Sequence, residues 1–115
     1  MVEQLQATMQ DDVGPFRTAA SLERALARLG ALRAELSSRK PQTGRPYDSA
    51  LADWHDLDTM TRVGECVAAA ALARTESRGA HQREDHPGLD DAWRVNQLLT
   101  LERGSLRIER HATPQ

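Results

Sequence analysis

The sequence predicts an all-α fold, a three-helix antiparallel bundle with a small C-terminal β-hairpin. At 115 residues the chain is long enough for one domain with its own core. It has two tryptophans, one tyrosine and one phenylalanine, so leucine, valine and alanine must supply most of that core. Leucine and alanine favour helices, whereas strands favour β-branched and aromatic residues. Apolar residues also recur every three or four positions, as on one face of a helix.

The first two helices are marked by this spacing and by their ends. Helix one is expected from Val2 to Asp12, because Gly14-Pro15 cannot continue a helix. Thr18 is the expected N-cap of helix two. The inner face of helix two is a leucine stripe, with charged residues between its members: Leu22, Leu26, Leu29, Leu32 and Leu36. A surface loop with two prolines and a glycine is expected from Ser37 to Ser49.

A third, longer helix is expected from Ala50 to about Arg78, with Gly79 as its stop. Its run from 67 to 73 is apolar on all sides, which indicates packing against several neighbours. The predicted inner stripe is Leu51, Trp54, Leu57, Met60, Val63, Val67, Ala71 and Arg74.

The C-terminal part changes from helical spacing to alternation. A charged segment from Ala80 to Asp91 comes first. Apolar and polar residues then alternate on both sides of the turn 102–105, which predicts a hairpin with Leu99 and Leu101 on one strand. A two-stranded hairpin is marginally stable alone, so it should pack on the helices. We therefore expect a three-helix bundle at 1–80, and a charged loop and hairpin at 81–115 packed on the same single domain.

Composition and motif searches exclude several functions. A formal net charge of −2 gives no reason to expect nucleic-acid binding. The longest apolar run, Cys66 to Ala73, is too short to span a bilayer, so no direct membrane insertion is expected. The single cysteine, Cys66, and the absence of a signal-peptide pattern favour a reducing, cytoplasmic setting. The glycines are too far apart for a dinucleotide-binding loop. We therefore assign no catalytic, cofactor-binding or metal-binding residue.

One stretch, Arg74 to Pro87, is unusually rich in charge for a segment that directly follows the most apolar part of the chain. Buried charges normally require partners. The residues themselves are compatible with a solvated helix end, in which cations favour the C-terminus. They are equally compatible with a polar docking surface, or with an anion site formed by Arg78, His81 and Arg83. A metal site at His81, Asp85 and His86 matches no familiar spacing.

The same stretch contains the pattern Arg74-x-Glu76-Ser77-Arg78-Gly79-x-His81-x-Arg83-x-Asp85. Further matching patterns are Met9-Gln10-x-x-x-Gly14-x-x-Arg17 upstream and Trp93-Arg94-x-Asn96 downstream. Together they resemble the C-terminal domain of flavoproteins of the succinate dehydrogenase and fumarate reductase family, L-aspartate oxidases included. The resemblance covers nearly the whole chain. It implies a spectrin-repeat-like bundle, and it implies that the flavin-binding and catalytic residues lie upstream.

The resemblance therefore implies FAD in the parent enzyme and no cofactor in this chain. It implies the flavin-binding domain as a partner, with an iron–sulfur subunit as a further candidate. We expect Glu76, Arg78, His81 and Arg83 to form a docking seam toward that domain. Respiratory members usually have histidine at the position of Asn96, which leaves L-aspartate oxidase open as an alternative. A free-standing helical module for a separately encoded flavoprotein is a second alternative, although the start at Met1-Val2 favours a domain cut from a longer chain.

Overall fold

The structure is a computed structural model and describes residues 1–41 and 49–113. Most of the loop expected between helices two and three therefore lies outside the described residues. The described elements are α1 (Val2–Asp12), β1 (Phe16–Arg17), α2 (Ala19–Ser38), α3 (Ser49–Ala73), β2 (Gln82–Arg83), β3 (Val95–Glu102) and β4 (Ser105–Ala112). A short 3-10 helix, Asp91–Trp93, precedes β3. Among these helices, none is long and apolar enough to cross a bilayer.

The predicted all-α class is wrong, because the protein has a mixed α and β structure. The three helices are accompanied by two separate two-stranded sheets, and only the C-terminal one was expected. In the other sheet β1 and β2 run parallel, with Phe16 opposite Gln82 and Arg17 opposite Arg83. This sheet connects the link between α1 and α2 to the charged segment after α3. Strands of two residues are too short to show an alternating pattern in the sequence.

The first two helices begin and end close to where the sequence predicts. Thr18 caps α2 as expected: its hydroxyl accepts a hydrogen bond from the Ser21 amide, and the Ser21 hydroxyl accepts one from the Thr18 amide. At the end of α1, the buried Asp12 carboxylate accepts hydrogen bonds from Arg24 Nε and Nη2 at 3.0 and 2.9 Å. Arg28 Nη1 lies 3.4 Å from the other oxygen of the same carboxylate. Charge pairing thus fixes α1 against the outer side of α2.

The core lies where the three helices meet. Its buried apolar residues are Leu5, Val13, Leu22, Ala25, Leu29, Leu32, Ala68 and Ala71. Trp54 Nε1, near the start of α3, donates a hydrogen bond to the Leu36 carbonyl at 2.7 Å. Leu29, earlier in α2, lies beside Gly64, later in α3. A later residue of α3 thus contacts an earlier residue of α2, so the two helices run antiparallel.

α3 differs from its prediction in both length and orientation. It ends at Ala73 instead of Arg78. Three large members of the predicted inner stripe are exposed: Met60 by 46%, Val63 by 55% and Val67 by 40%. The residues that α3 buries are mostly small: Thr61, Gly64, Glu65, Ala68 and Ala71. The predicted orientation was wrong because a helix with apolar residues on several sides has no unique inward face in its sequence.

The hairpin of β3 and β4 has the expected antiparallel register. Leu99 lies opposite Ile108, and Leu101 lies opposite Leu106. Both central residues of the turn have positive φ, 49° at Arg103 and 81° at Gly104. Two positive φ values are typical of the type I′ turn, whose twist matches that of the flanking strands. The strands are longer than the alternating leucines indicated, since pairing begins at Val95 and Ala112.

Candidate functional site

The charged segment leaves α3 at Arg74 and then reverses in a tight turn. The Arg78 amide donates to the His81 carbonyl at 2.8 Å, and the His81 amide donates back to the Arg78 carbonyl at 3.0 Å. Gly79, inside this turn, has φ of +57°, a conformation that favours glycine. The chain then enters β2, which pairs with β1. Side chains from both arms of the turn are thereby held near the C-terminal end of α3.

Glu76 is the buried centre of the first charge cluster. Its carboxylate accepts hydrogen bonds from Arg78 Nε at 2.7 Å and from Arg74 Nη1 at 2.8 Å. It also accepts one from the Asp90 backbone amide at 2.8 Å. The hydrogen bonds from Arg78 are the main reason that the pKa of Glu76 is lowered to about 2, and those from Asp90 and Arg74 act in the same direction against the effect of burial. Glu76 is therefore ionised at neutral pH and holds two arginines in fixed positions.

Arg83 forms a second cluster that joins α3 to α2. Its buried guanidinium donates through Nη1 to the carbonyls of Ala71 and Leu72 at 3.1 and 2.9 Å, where α3 leaves its last carbonyls unpaired. Its other side makes a forked contact with Asp85 at 2.8 and 2.7 Å. Asp85 in turn accepts a hydrogen bond from the Ala19 amide, in the first turn of α2, at 3.0 Å. The contact with Arg83 is the main cause that lowers the pKa of Asp85.

His81 links the turn to the segment before α2. Arg17 Nη1 lies 2.8 Å from His81 Nδ1, and since arginine can only donate, Nδ1 accepts. The proton of the neutral ring therefore lies on Nε2, which donates to the Arg74 carbonyl at 3.2 Å. Burial is the main reason that the pKa of His81 is lowered, and the nearby charges of Arg17, Arg74 and Arg83 lower it further. His81 is thus a neutral, structurally fixed imidazole at pH 7.

Trp93 connects this region to the hairpin. The residue is buried, and its Nε1 donates to the Thr75 hydroxyl at 2.9 Å. Arg110, on β4, stacks with its guanidinium carbon 3.7 Å from the centre of the indole ring. Arg74 completes the joint by donating to the carbonyls of Trp93 and Val95 at 2.8 and 2.7 Å. The base of the hairpin is therefore fixed to the same arginine that contacts Glu76.

A cleft of about 400 Å³ opens between this joint and the turn. It is lined by Arg74, Arg78, His81, Trp93, Arg94, Val95, Asn96 and Thr113. Glu76 contacts Arg78 directly, and His81 lines the same cleft as Arg78. Arg83 does not line the cleft, although its Nη1 donates at 3.4 Å to the Arg74 carbonyl oxygen that His81 Nε2 also contacts. The structure therefore brings Arg83 close to His81 but leaves it outside the cleft that Arg78 and His81 share. The exposed Arg94 makes no side-chain hydrogen bond or ion pair with the described residues, and it gives the cleft a free positive charge.

Sequence reasoning missed four partners of this site: Arg17, Arg74, Asp85 and the Asp90 amide. The first three belong to the matching patterns, so the patterns contained a signal for them. Nothing in the sequence indicated that Arg17 contacts a residue 64 positions away. Within residues 1–41 and 49–113, no three side chains of histidine, cysteine, aspartate or glutamate are grouped as a metal site would need. The hydrogen bonds of Glu76 and Arg83 instead fix the backbone at the end of α3.

Comparison with known proteins gives matches over nearly the whole chain. Residues 2–113 match the family model described as the fumarate reductase flavoprotein C-terminal domain. The succinate dehydrogenase flavoprotein subunit of Coxiella burnetii is 35% identical over 91 residues, which cover 78% of this chain and 16% of that protein. The L-aspartate oxidase of Streptomyces coelicolor is 35% identical over 98 residues, which cover 84% of this chain and 17% of that protein.

Two solved structures have the same fold. The quinol fumarate reductase subunit FrdA of E. coli superposes with a TM-score of 0.83 at 29% identity, over 91% of this chain and 19% of that one. Sdh1 of Mycobacterium smegmatis gives a TM-score of 0.78 at 33% identity, over 96% of this chain and 19% of that one. The chain thus spans less than a fifth of the length of these relatives. It belongs to the family of C-terminal domains of fumarate reductase and succinate dehydrogenase flavoproteins.

Proposed function

We propose that this chain is the docking domain of an FAD-dependent oxidoreductase that acts on a four-carbon dicarboxylate, and that it is inactive alone. The observation that carries the proposal is the family match over residues 2–113, which covers less than a fifth of relatives such as the Coxiella burnetii subunit and FrdA. The relatives are named for succinate, fumarate and aspartate, which are all four-carbon dicarboxylates. FAD and the substrate would be bound by the preceding part of the parent flavoprotein, since no glycine-rich phosphate loop occurs in this sequence.

In this proposal, residues 1–80 and 81–115 act as one domain whose charged clusters form the docking seam. Glu76 holds Arg78 at the cleft, and His81 fixes the turn that carries it. Arg83 supports the seam from behind by capping α3. The cleft would present Arg78 and Arg94 to carboxylates or backbone carbonyls of the flavin-binding domain, since an arginine fork suits both acceptors. An iron–sulfur subunit is a further proposed partner of the assembled flavoprotein.

The first test is flavin binding by the 115-residue chain. The chain is mixed with excess FAD, desalted and examined by visible spectroscopy, and no flavin absorbance should remain with the protein. The full-length flavoprotein, treated identically, should retain it. Stoichiometric retention by the short chain would contradict the proposal, because the domain would then hold the cofactor itself.

The second test addresses the seam in the full-length flavoprotein. Arg94→Ala removes a charge without disturbing Glu76, and it should weaken docking by about 2–5 kcal/mol if Arg94 meets a buried acceptor across the interface. Arg107→Ala is the control, because Arg107 is an exposed arginine of the hairpin that pairs with Glu109. Thermal unfolding of both variants, in the short chain and in the full-length protein, measures the difference. If the two changes had equal effects in the full-length protein, Arg94 would not be part of the docking seam.

A further inference from the structure

The outward side of α3 has an apolar surface that the rest of the described chain leaves uncovered. Met60, Val63 and Val67 are spaced by three and four residues and form this outer stripe. Arg62 and Glu65 lie on other sides of the helix, where Arg62 pairs with Asp58 and Glu65 pairs with Arg33. The exposed Asp56 lies one turn before Met60 on the same side and marks the end of the stripe. The outer stripe is therefore an uncharged line along two turns of the helix.

Single exposed apolar residues are common on protein surfaces and need no explanation. The outer stripe differs because it belongs to the helix whose opposite side is already buried against α2. A helix that faces water on one side normally has polar residues there, as α2 does with Glu23 and Arg24. A helix that is apolar on both sides is typical of one that is covered on both sides.

The apolar surface continues from α3 onto the start of α1. Val2, which is 45% exposed, lines the same groove as Met60 and Leu57, and the charged Arg39, Asp53 and Asp56 line this groove as well. Met1 also lines this groove, so the N-terminal end of the chain lies beside the outer stripe. The cleft at Arg78 and Arg94 lies beyond the other end of α3, and three arginines line it. The domain thus has an apolar surface and a charged surface at different places along one helix.

We propose that the flavin-binding part of the parent flavoprotein covers the outer stripe with apolar side chains. This proposal rests on the proposed function. The matched family is a C-terminal one, and the relatives have more than four-fifths of their length outside the matched region. A chain that precedes Met1 would enter at the groove of Val2 and Met60 and would meet the outer stripe first. Because the stripe carries no charge, its partner surface should be apolar as well, whereas the charged seam takes the polar contacts.

Cysteine labelling tests the proposal without weakening the fold. In a Cys66→Ser background, Val63→Cys places a thiol on the outer stripe at a position that is already exposed. Val67→Cys is a second probe one turn further on, in case the first variant folds poorly. Ala27→Cys on α2 and Leu98→Cys on β3 are the matched controls, because both positions are exposed in this domain. A maleimide reagent is applied to each variant, in the short chain and in the full-length flavoprotein purified without other subunits.

We expect both stripe probes to react freely in the short chain. In the full-length flavoprotein the labelling rate of both stripe probes should fall by at least about a hundredfold, because a docked thiol reacts only when the interface opens. Ala27→Cys should react at the same rate in both proteins.

If a control probe is protected while both stripe probes react freely, this inference is overturned, but the proposed docking function stands. Free reaction of all four probes would overturn the docking function too. Protection that appears in the short chain and grows with its concentration would assign the stripe to a second copy, and protection that needs an added subunit would assign it to that subunit. Either result would overturn the inference.

Discussion

The two long helices, α2 and α3, lie side by side but use their apolar residues in opposite ways. α2 buries large side chains, with Leu22, Leu29 and Leu36 almost fully inaccessible, and its outer side is charged. α3 buries mostly small residues against α2 and exposes three large ones, Met60, Val63 and Val67. The orientation of α2 is thus explained by the core of this domain alone. The orientation of α3 leaves three large apolar residues outside that core, which fits the contact proposed above.

The difference in side-chain size also explains how closely the helices approach. Around Gly64, a Cβ atom would lie 3.1 Å from Met9 Sδ and 3.5 Å from a methyl group of Leu29. Large residues of α1 and α2 therefore fill the space that small residues of α3 leave open, as dense packing requires. Hydrophobicity alone does not predict this orientation of α3. Glycine and alanine are less hydrophobic than valine and methionine, yet in α3 they are the residues buried in the core.

The largest expected effect comes from removing a large residue of α2. Leu29→Ala should destabilise the short chain by about 2–5 kcal/mol, since Leu29 is fully buried in the core and its loss leaves a cavity beside Gly64. Urea unfolding followed by circular dichroism measures the change. Leu98→Ala on the hairpin, where the side chain is exposed, is the control. Equal midpoints for the two variants would contradict the packing of α2 described above.

Acid should loosen the ionic contacts at the end of α3 before it affects the apolar core. The folded-state pKa of Glu76 is about 2, below the value of roughly 4.3 expected in the unfolded chain. The resulting stabilisation is therefore complete above about pH 5 and is lost as pH falls toward 2, by on the order of 3 kcal/mol. The lowered pKa of Asp85, which joins Arg83 to the start of α2, acts in the same direction.

Urea midpoints of the wild type at a series of pH values between neutral and acid conditions measure this loss. Glu76→Gln is the informative variant, because glutamine cannot ionise and so should flatten the pH dependence while lowering stability at neutral pH. If the wild type and this variant lose stability in parallel on acidification, the acid sensitivity belongs to other carboxylates.

A somewhat smaller effect is expected from enlarging the small side of α3. Gly64→Leu places a side chain where Met9 and Leu29 already lie, and overpacking of this kind typically costs about 1–3 kcal/mol. Gly30→Ala is a useful control, since a Cβ atom at Gly30 meets nothing within 4 Å and alanine favours the helix. The two changes should therefore shift the urea midpoint in opposite directions. An unchanged midpoint for Gly64→Leu would show that α3 does not pack closely at Gly64.

These contrasts also show what the sequence can predict about this fold. The leucine spacing of α2 and the cap at Thr18 predicted that helix well, because large apolar residues and charged residues occupy separate sides of it. The hairpin was predicted from its alternation and from the glycine in its turn. The all-α class was wrong because the parallel pairing of Phe16 and Arg17 with β2 is too short to leave a pattern, and depends on contacts between distant segments.

The candidate site shows a similar limit. The sequence identified the charged stretch and the four residues expected at the docking seam. It did not indicate that Glu76 accepts a hydrogen bond from a backbone amide at Asp90, or that Arg83 caps α3. Such partners follow from where the chain turns, and α3 ends at Ala73, five residues before the end at Arg78 that was predicted from Gly79. Arg83, which lies beyond the predicted helix, donates to the last carbonyls of α3, while Arg74 and Arg78 contact Glu76 instead.

The smallest expected effect tests the orientation of α3 most directly. Val63→Gln should change the stability of the short chain by no more than about 0.5 kcal/mol, as is usual for exposed positions. Glu23→Ala, on the charged side of α2, should fall in the same range and serves as the reference. If the inner stripe inferred from hydrophobicity were real, Val63→Gln would instead bury a polar amide and cost several times more. A clearly lower urea midpoint for Val63→Gln than for Glu23→Ala would show that Val63 is buried in the core. The interpretation of α3 as a helix covered on two sides would then be wrong.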